Sequence, residues 1–299
     1  DCWKPSLVCF VDSEIWPNFL IEIKKRNIPL ALINARITKK TFMRWVMFKN
    51  LSSQVFSKFD LCLTANLESK NNLIKLGAKN IKYIGNLKFS VSNKISNMET
   101  KDKENLDDRI VWCAVSTHSG EEILCFKSHI KIKKFYNNLL TIVIPRHISR
   151  SKEISLEAKK LNLRPQILNE GELIDKNIDV LIINSFGNIT KYFKYYKVVL
   201  IGKSMLKKFE RDGGQNPIDA AKLGCKIFHG PYVSNFNEVY DLLKSYNISE
   251  QVNNYEDLAE KIINMFKSKN IKLENQSESL NMHGIKILNE TINEIKNIT

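Results

Sequence analysis

The sequence contains no apolar run long enough to cross a membrane and no secretory signal pattern at its start. A membrane-spanning helix needs roughly 18 to 20 predominantly apolar residues, and a signal peptide combines a basic segment with an apolar one. The six cysteines show no Cys-x-x-Cys spacing, and most stand in apolar runs, where a thiol behaves as a small hydrophobic side chain. We therefore expect a soluble or peripheral protein from a reducing compartment.

Two glycine-rich nucleotide motifs are also absent. The sequence has neither G-x-G-x-x-G nor G-x-x-x-x-G-K-[ST], which disfavours a nicotinamide-binding Rossmann site and a P-loop. Basic residues are not interleaved with aromatic residues in the way that stacking on single-stranded nucleic acid requires. We therefore expect no nucleic-acid partner.

The chain is nevertheless strongly basic, with 46 Lys and Arg against 32 Asp and Glu and a formal net charge of +14. A surplus of this size favours an anionic partner, such as a phosphorylated substrate or an acidic membrane surface. Lys, Asn and Ile are abundant throughout the chain, so compositional drift explains the charge equally well. Charge alone does not choose between these interpretations.

Short apolar segments alternate with amphipathic segments, which indicates βαβ units and parallel sheets covered by helices. Before residue 90 the predicted strands are SLVCFV, LALINA, DLCLTA and IKYIG, with helices over 19–26, 41–48 and 67–78. After residue 109 the predicted strands are IVWCAVS, LLTIVIP, QIL, DVLIIN, VVLIGKS and KIFHG, with helices that begin near Glu121, Ser151, Pro217 and Asn235.

The length and one polar segment predict the domain organisation. A chain of 299 residues with 43% apolar content is expected to form two domains. Residues 91–108 are polar and charged, as in an interdomain linker. We predict a first α/β domain over 1–90, a second over 109–280 and a C-terminal helix within 281–299. In such folds ligands bind beyond the carboxyl ends of the strands.

Two polar segments follow predicted strands of the second domain. STHSGEE, which contains Ser116, Thr117 and His118, is explained either by helix capping with acids in the first turn or by a histidine ring that faces a ligand. PRH, at residues 145–147, holds an Arg that is either a solvated loop charge or a guanidinium suited to bidentate binding of phosphate or carboxylate.

The segment GGQNPIDAAKLGC is the most informative of the second domain. Gly213 and Gly214 allow the backbone to approach a ligand closely. Asn216 and Pro217 are typical of a helix start, and the start of a helix can receive an anion. Asp219 either compensates the helix dipole or accepts hydrogen bonds from ribose hydroxyls, as acids do in nucleotide sites.

Two segments of the first domain place charges after strands. In CFVDSEIWPNF a strand pattern stops at Asp12, and Glu14, Trp16 and Pro17 follow. Glu14 is either a first-turn acid of the next helix or a carboxylate presented at the carboxyl end of a strand. In GNLKFS, Lys88 is either an ordinary surface lysine or a cation that neutralises a leaving phosphate.

Seven segments, taken in order from about Pro5 to Asn235, resemble the 3-deoxy-D-manno-octulosonic acid (Kdo) transferases of lipopolysaccharide assembly. They are SEIWPN, LINARIT, LGAKNIKYIGNLKF, STHSGEE, PRH, GGQNP and GPYVSNF. The resemblance implies a GT-B glycosyltransferase with an α/β fold, in which the parallel sheets of two Rossmann-like domains face a cleft. It also implies transfer of Kdo from CMP-Kdo to a lipid A precursor, lipid IVA, without a metal or other cofactor, at the cytoplasmic face of the bacterial inner membrane.

The resemblance further implies which residues act. Donor binding is expected from Ser116, Thr117, His118, Pro145, Arg146, His147, Phe186, Gly187, Asn188, Gly214, Asn216, Pro217, Ile218 and Asp219. Glu14 and Lys88 are expected to support the transition state, because transfer develops positive charge on the sugar and negative charge on the phosphate, and preplaced opposite charges lower that barrier. An acidic membrane surface and a phosphorylated glycolipid would then account for the net charge.

The chain also departs from the pattern of the family. The general base of the family, a Glu after Gly, and a membrane-anchoring helix stand in a segment earlier than the first residue here, so we expect a truncated first domain and assign no base. Asn188 replaces a usual Glu, and Asp219 replaces a longer Glu. Two alternatives stay open: a nucleotide- or lipid-binding remnant that performs no transfer, and another GT-B enzyme whose donor carries a diphosphate.

Overall fold

The computed structural model describes residues 4–91, 98, 102, 105–185, 187, 189–268 and 273–298. The chain divides into two compact units. The first comprises Asp1–Val91 together with Leu280–Thr299, and the second comprises Ser92–Ser279. Each unit is built on its own parallel β-sheet.

The first unit contains a four-stranded sheet in the order β1-β2-β3-β4. Its strands are β1 Val8–Val11, β2 Leu30–Ala35, β3 Leu61–Thr64 and β4 Ile81–Tyr83. The helices between them are α1 Pro17–Lys25, α2 Lys39–Val46, α3 Lys49–Phe56 and α4 Leu67–Lys75. Every residue of β2 is buried, as expected for a parallel strand covered on both faces.

Alternate residues of β2 belong to two different hydrophobic clusters. Leu30 and Leu32 pack with residues of α3 and α4, whereas Ala31 and Ile33 pack with Ile295, near the end of the C-terminal helix. That helix is α11, Glu274–Lys296, so it starts earlier than the sequence predicted, and its last part covers one face of the first sheet.

The second unit contains a seven-stranded sheet in the order β11-β10-β9-β5-β6-β8-β7, in which every pair is parallel. Its strands are β5 Ile110–Thr117, β6 Leu139–Pro145, β7 Pro165–Leu168, β8 Val180–Ile183, β9 Val198–Ile201, β10 Lys226–His229 and β11 Ser249–Gln251. Its helices are α5 Glu121–Lys133, α6 Ser151–Lys160, α7 Ile189–Tyr195, α8 Ile218–Lys222, α9 Asn237–Ser245 and α10 Tyr255–Ser268.

Most predicted strands are present, and the differences have local causes. The helix predicted over 41–48 is present as α2, Lys39–Val46, whereas α3, Lys49–Phe56, was not predicted; the non-helical backbone of Phe48 separates the two helices. Strand β11 and helix α10 were not predicted. Across the residues described, no helix combines the length and the apolar character that crossing a membrane requires.

Gly284 lets α11 lie directly against backbone of the first unit. A Cβ at this position would lie 2.2 Å from the carbonyl oxygen of Phe89, in the 3₁₀ turn Leu87–Ser90. In an open helix, Gly→Ala raises the free energy of unfolding by about 1 kcal/mol. For Gly284→Ala we expect a decrease of about 1 to 3 kcal/mol instead, because the helix must move away from the turn.

Urea unfolding of the first unit, resolved by amide hydrogen exchange, would measure this change. Met282→Ala is the matched control, because Met282 lies on the same helix and is 63% exposed. We expect this control to alter the free energy of unfolding by less than about 0.5 kcal/mol. A Gly284→Ala protein as stable as the parent would contradict the contact.

Candidate functional site

The carboxyl ends of all seven strands of the second sheet lie at one edge, because the strands are parallel. The chain continues from β5 to β6 on one side and later forms β9 on the other side of β5. Ligands of open α/β sheets bind beyond the carboxyl ends of strands at such a reversal. The structure places the predicted residues Ser116, Thr117 and His118 there, at the end of β5.

A buried carboxylate joins the loops after β5 and β9. Glu121, which is fully buried at the start of α5, accepts hydrogen bonds from the backbone N–H groups of His118, Lys203, Ser204 and Met205 at 2.7 to 3.0 Å. The sequence explained Glu121 only as a first-turn acid. In the structure its oxygens bind N–H groups of another loop, so it fixes the shape of the sheet edge.

The ring of His118 lies among side chains of neighbouring loops. Its centroid is 5.9 Å from that of His147 and 5.4 Å from that of Phe209, both edge to face, and its Nδ1 lies 3.1 Å from the carbonyl oxygen of Ser116. Burial lowers the pKa of His118, the hydrogen bond with Ser116 and the charge of Glu121 act in the opposite direction, and the charges of Lys203 and His147 lower the pKa further. The predicted residues His118 and His147 are therefore brought together, with His118 favoured as a neutral imidazole.

A cavity of about 150 Å³ opens at the carboxyl ends of β5, β6 and β8. Its lining comprises Ser116, Ile144, Pro145, Arg146, Ile148, Ile183, Ser185, Gly187, Ile189 and Tyr192. A cavity of about this volume accommodates a six-membered ring. Four predicted donor-binding residues are thus gathered around it. Two others, Phe186 and Asn188, lie outside the described residues.

The glycines of GGQNP are required by the backbone of the protein itself. A Cβ on Gly213 would lie 2.2 Å from the carbonyl oxygen of Tyr232. Gly214, at a φ of +89°, donates its N–H to the carbonyl oxygen of Lys203 at 2.7 Å. The close approach that the sequence predicted is therefore made to loops that follow β9 and β10.

The residues after these glycines lead into α8. The side-chain oxygen of Asn216, which is exposed, accepts a hydrogen bond from the N–H of Ile218 at 3.1 Å. Pro217 and Ile218 are buried, and Asp219 is half-buried. Burial raises the pKa of Asp219, while the charge of Lys222 acts in the opposite direction. An amide and a carboxylate that can bond hydroxyl groups are thus available here.

In the first unit, the structure brings Lys88 to Asp12. The Nζ of Lys88 lies 3.3 Å from Oδ2 of Asp12. The buried side chain of Asn34 joins the two loops. Its amide donates to Oδ1 of Asp12 at 2.5 Å, and its oxygen accepts from the N–H of Leu87 at 2.9 Å. A carboxylate and an ammonium are therefore held together at the carboxyl edge of this sheet.

Glu14, the acid that the sequence singled out, has a different partner. Its carboxylate is exposed and accepts a hydrogen bond from the indole N–H of Trp16 at 3.0 Å. Pro17 occupies the first turn of α1, where its fixed φ suits a helix start. Trp16 and Pro17 thus shape the turn that carries Glu14, while Asp12 is the acid in contact with Lys88.

Four residues of these sites were missed by sequence reasoning. Asp12 and Asn34 both stand at the end of a strand, and that position could have been recognised from the sequence. In the structure both have a positive φ, 58° and 54°. Glu121 and Lys203 are separated by 82 residues. No periodicity indicates such a pair, because the sheet order brings the two loops together.

The buried acid allows a test of the sheet edge. Replacing Glu121 by Gln leaves a side chain with one acceptor oxygen and an NH₂ group that faces backbone donors. We expect the free energy of unfolding of the second unit to fall by about 3 kcal/mol, measured by denaturant titration. Glu153→Gln is the control, because Glu153 is exposed in its pair with Arg150, and we expect a loss below about 1 kcal/mol. Equal stability of the two variants would contradict the role of Glu121.

Comparisons with known proteins indicate which family and which fold the chain resembles. Residues 1–91 match the model of a family described as 3-deoxy-D-manno-octulosonic-acid transferase (kdotransferase). The 3-deoxy-D-manno-octulosonic acid transferase of Rickettsia typhi is 29% identical over 300 residues, which cover 98% of this chain and 64% of that protein. The chain therefore spans less than two thirds of the length of this curated relative.

Two solved structures resemble the chain. The C-terminal CMP-Kdo binding domain of WaaA from Acinetobacter baumannii has a TM-score of 0.52 and 22% identity, over 61% of this chain and 91% of that domain. A putative UDP-N-acetylglucosamine 2-epimerase from Listeria monocytogenes has a TM-score of 0.60 and 12% identity, over 98% of this chain and 75% of the epimerase. At these identities the likeness concerns the fold, and it confirms the predicted α/β fold of the GT-B class. Over residues 1–91 the chain is thus similar to the kdotransferase family, and over most of its length it is similar to a curated 3-deoxy-D-manno-octulosonic acid transferase.

Proposed function

We propose that this chain carries the donor-binding unit and charge-stabilising residues of a transferase that moves Kdo from CMP-Kdo to a lipid A precursor, lipid IVA, in lipopolysaccharide core biosynthesis. The observation that carries the proposal is the cavity beside Arg146, in a unit whose fold resembles a CMP-Kdo binding domain. The transfer would take place at the cytoplasmic face of the inner membrane.

The second unit would bind the donor along the carboxyl edge of its sheet. The cytosine ring would occupy the cavity, where the hydroxyl groups of Ser116 and Ser185 are available to its polar edge. Arg146 is an exposed residue that lines the same cavity, and its guanidinium suits a phosphate because it offers paired donors. Asn216 and Asp219 would bond the ribose hydroxyls, which accounts for a carboxylate at the start of α8.

The first unit would stabilise charge as the sugar transfers. The bond between the anomeric carbon of Kdo and the phosphate oxygen breaks, the acceptor hydroxyl oxygen bonds to that carbon and loses its proton to solvent, and CMP leaves with the bonding electrons. Lys88 would neutralise the leaving phosphate, and Asp12, 3.3 Å from it, would hold that ammonium in position. Glu14 would support the positive charge on the sugar. In this proposal side-chain cations supply the neutralisation, without a metal ion.

An exposed apolar surface on α2 and α3 supports contact with an anionic membrane. We call it the α2–α3 surface. Its apolar side chains are all more than 40% exposed: Met43, Val46, Met47, Phe48 and Leu51. Basic residues are interspersed with them: Lys39, Lys40, Arg44 and Lys49. Apolar side chains with flanking positive charge favour the interface of an anionic bilayer, where a lipid A precursor would reside.

Calorimetric titration with CMP tests the donor site. We expect saturable binding by this chain, weakened at least about tenfold in Arg146→Ala and in Asp219→Ala, because each change removes a charged hydrogen-bonding partner. Lys159→Ala alters an exposed charge on α6 and should leave the affinity unchanged. UDP should bind more weakly than CMP, whereas a preference for UDP would favour a diphosphate donor.

The same chain, mixed with CMP-Kdo and lipid IVA, separates binding from transfer. Release of CMP that depends on the acceptor would support catalysis by this chain. Binding without release would favour the nucleotide-binding remnant, and a folded chain that binds no CMP would contradict the proposal as a whole.

Vesicle sedimentation tests the α2–α3 surface. The chain should bind vesicles rich in phosphatidylglycerol and should bind neutral phosphatidylcholine vesicles weakly. The double variant Met47→Ser, Phe48→Ser should reduce binding at least about tenfold, because two large side chains no longer enter the interface. Leu156→Ser removes a 60% exposed side chain from α6 and serves as the control. Equal binding by the double variant would exclude the α2–α3 surface.

A further inference from the structure

Lys203 has a backbone conformation that is unusual for its residue type. Its φ is +56°, in the left-handed region that residues other than Gly, Asn and Asp seldom adopt. Its N–H donates to Oε2 of Glu121 at 2.7 Å, and its carbonyl oxygen accepts from the N–H of Gly214 at 2.7 Å. Such conformations persist where the surrounding structure fixes them, and they cluster at ligand sites.

The fixed backbone places the Lys203 ammonium at the carboxyl edge of β9. The side chain of Lys203 is only 19% exposed, and its Nζ lies 3.0 Å from Oδ2 of Asp212, which is 65% exposed. The charge of Lys203 is close enough to His118 to lower the pKa of that ring. A partly buried cation therefore lies near the predicted donor-binding residues, paired with an acid that faces solvent.

We propose that Lys203 is a donor-binding residue whose ammonium contacts an anionic group of the nucleotide sugar, either the phosphate or the carboxylate of the sugar. Asp212 holds the ammonium in place while the site is empty. The inference rests on the proposed function of the second unit. A solvent-exposed acid contributes little to an ion pair, so an anion that forms charge-assisted hydrogen bonds can displace it.

Other cations of the same loop lack this arrangement. Lys208 is exposed and donates to the carbonyl oxygen of Ser119, and Lys207 is exposed on the adjoining 3₁₀ turn. At Lys203 the backbone N–H and carbonyl oxygen are both hydrogen-bonded, to Glu121 and Gly214, and the side chain is largely buried. Lys207 therefore provides a control that changes the charge of the loop by the same amount.

Calorimetry with CMP and with cytidine tests the contact. Lys203→Met keeps the length of the side chain and removes its charge. If the ammonium contacts the phosphate, we expect CMP binding to weaken about ten- to hundredfold, and in either case cytidine binding should be unchanged. Asp212→Asn should bind CMP at least as tightly as the parent chain, because a competing partner is removed. Lys207→Met should bind CMP like the parent, and circular dichroism would verify the fold of each variant.

A third ligand, CMP-Kdo without acceptor, distinguishes the two anionic groups. Weakened binding of both CMP and CMP-Kdo by Lys203→Met would assign the ammonium to the phosphate. Weakened binding of CMP-Kdo alone would assign it to the sugar carboxylate. The inference is overturned if Lys203→Met binds both nucleotides like the parent, or if it loses cytidine by the same factor. A parent chain that binds no CMP would instead contradict the proposed donor site.

Discussion

The second unit depends on the buried carboxylate of Glu121. Its two oxygens accept four backbone N–H groups, so helix α5 and the loops after β5 and β9 are fixed to one another. Burying a carboxylate without such N–H groups would lower the free energy of unfolding by several kcal/mol. Removing any one of these hydrogen bonds is therefore expected to destabilise the second unit. The N–H groups of His118 and Lys203 are among those bound by Glu121. The acid that stabilises the sheet edge therefore also positions two residues proposed to bind the nucleotide sugar.

In the first unit, the neutral amide of Asn34 joins two loops as Glu121 does in the second unit. The buried side chain of Asn34 donates to Asp12 and accepts from the N–H of Leu87, so it orders the end of β1 and the 3₁₀ turn that carries Lys88. An amide offers both a donor and an acceptor and is cheaper to bury than an ion. In both units, therefore, a buried polar side chain near the carboxyl edge of the sheet orders loops that follow two different strands.

The sheets were predictable because parallel strands covered on both faces give uninterrupted apolar runs. LALINA and LLTIVIP are fully buried in the structure. Strand β11 is Ser-Glu-Gln, which lacks that character, and the sequence did not predict it. The helix predicted over 41–48 ends at Val46 in the structure, because the backbone of Phe48 is non-helical. Local periodicity therefore predicted the elements better than their ends.

By itself, the sequence determined the alternation of strands and helices, the segments that follow each strand and the family these segments resemble. Only the tertiary structure decided which side chains meet. Lys88 contacts Asp12 rather than Glu14, Glu121 binds a loop 82 residues away, and the glycines of GGQNP pack on backbone of the same unit. The reason is physical: periodicity records which face of an element is buried, whereas hydrogen-bond partners across a sheet edge depend on strand order, which leaves no trace in the local pattern.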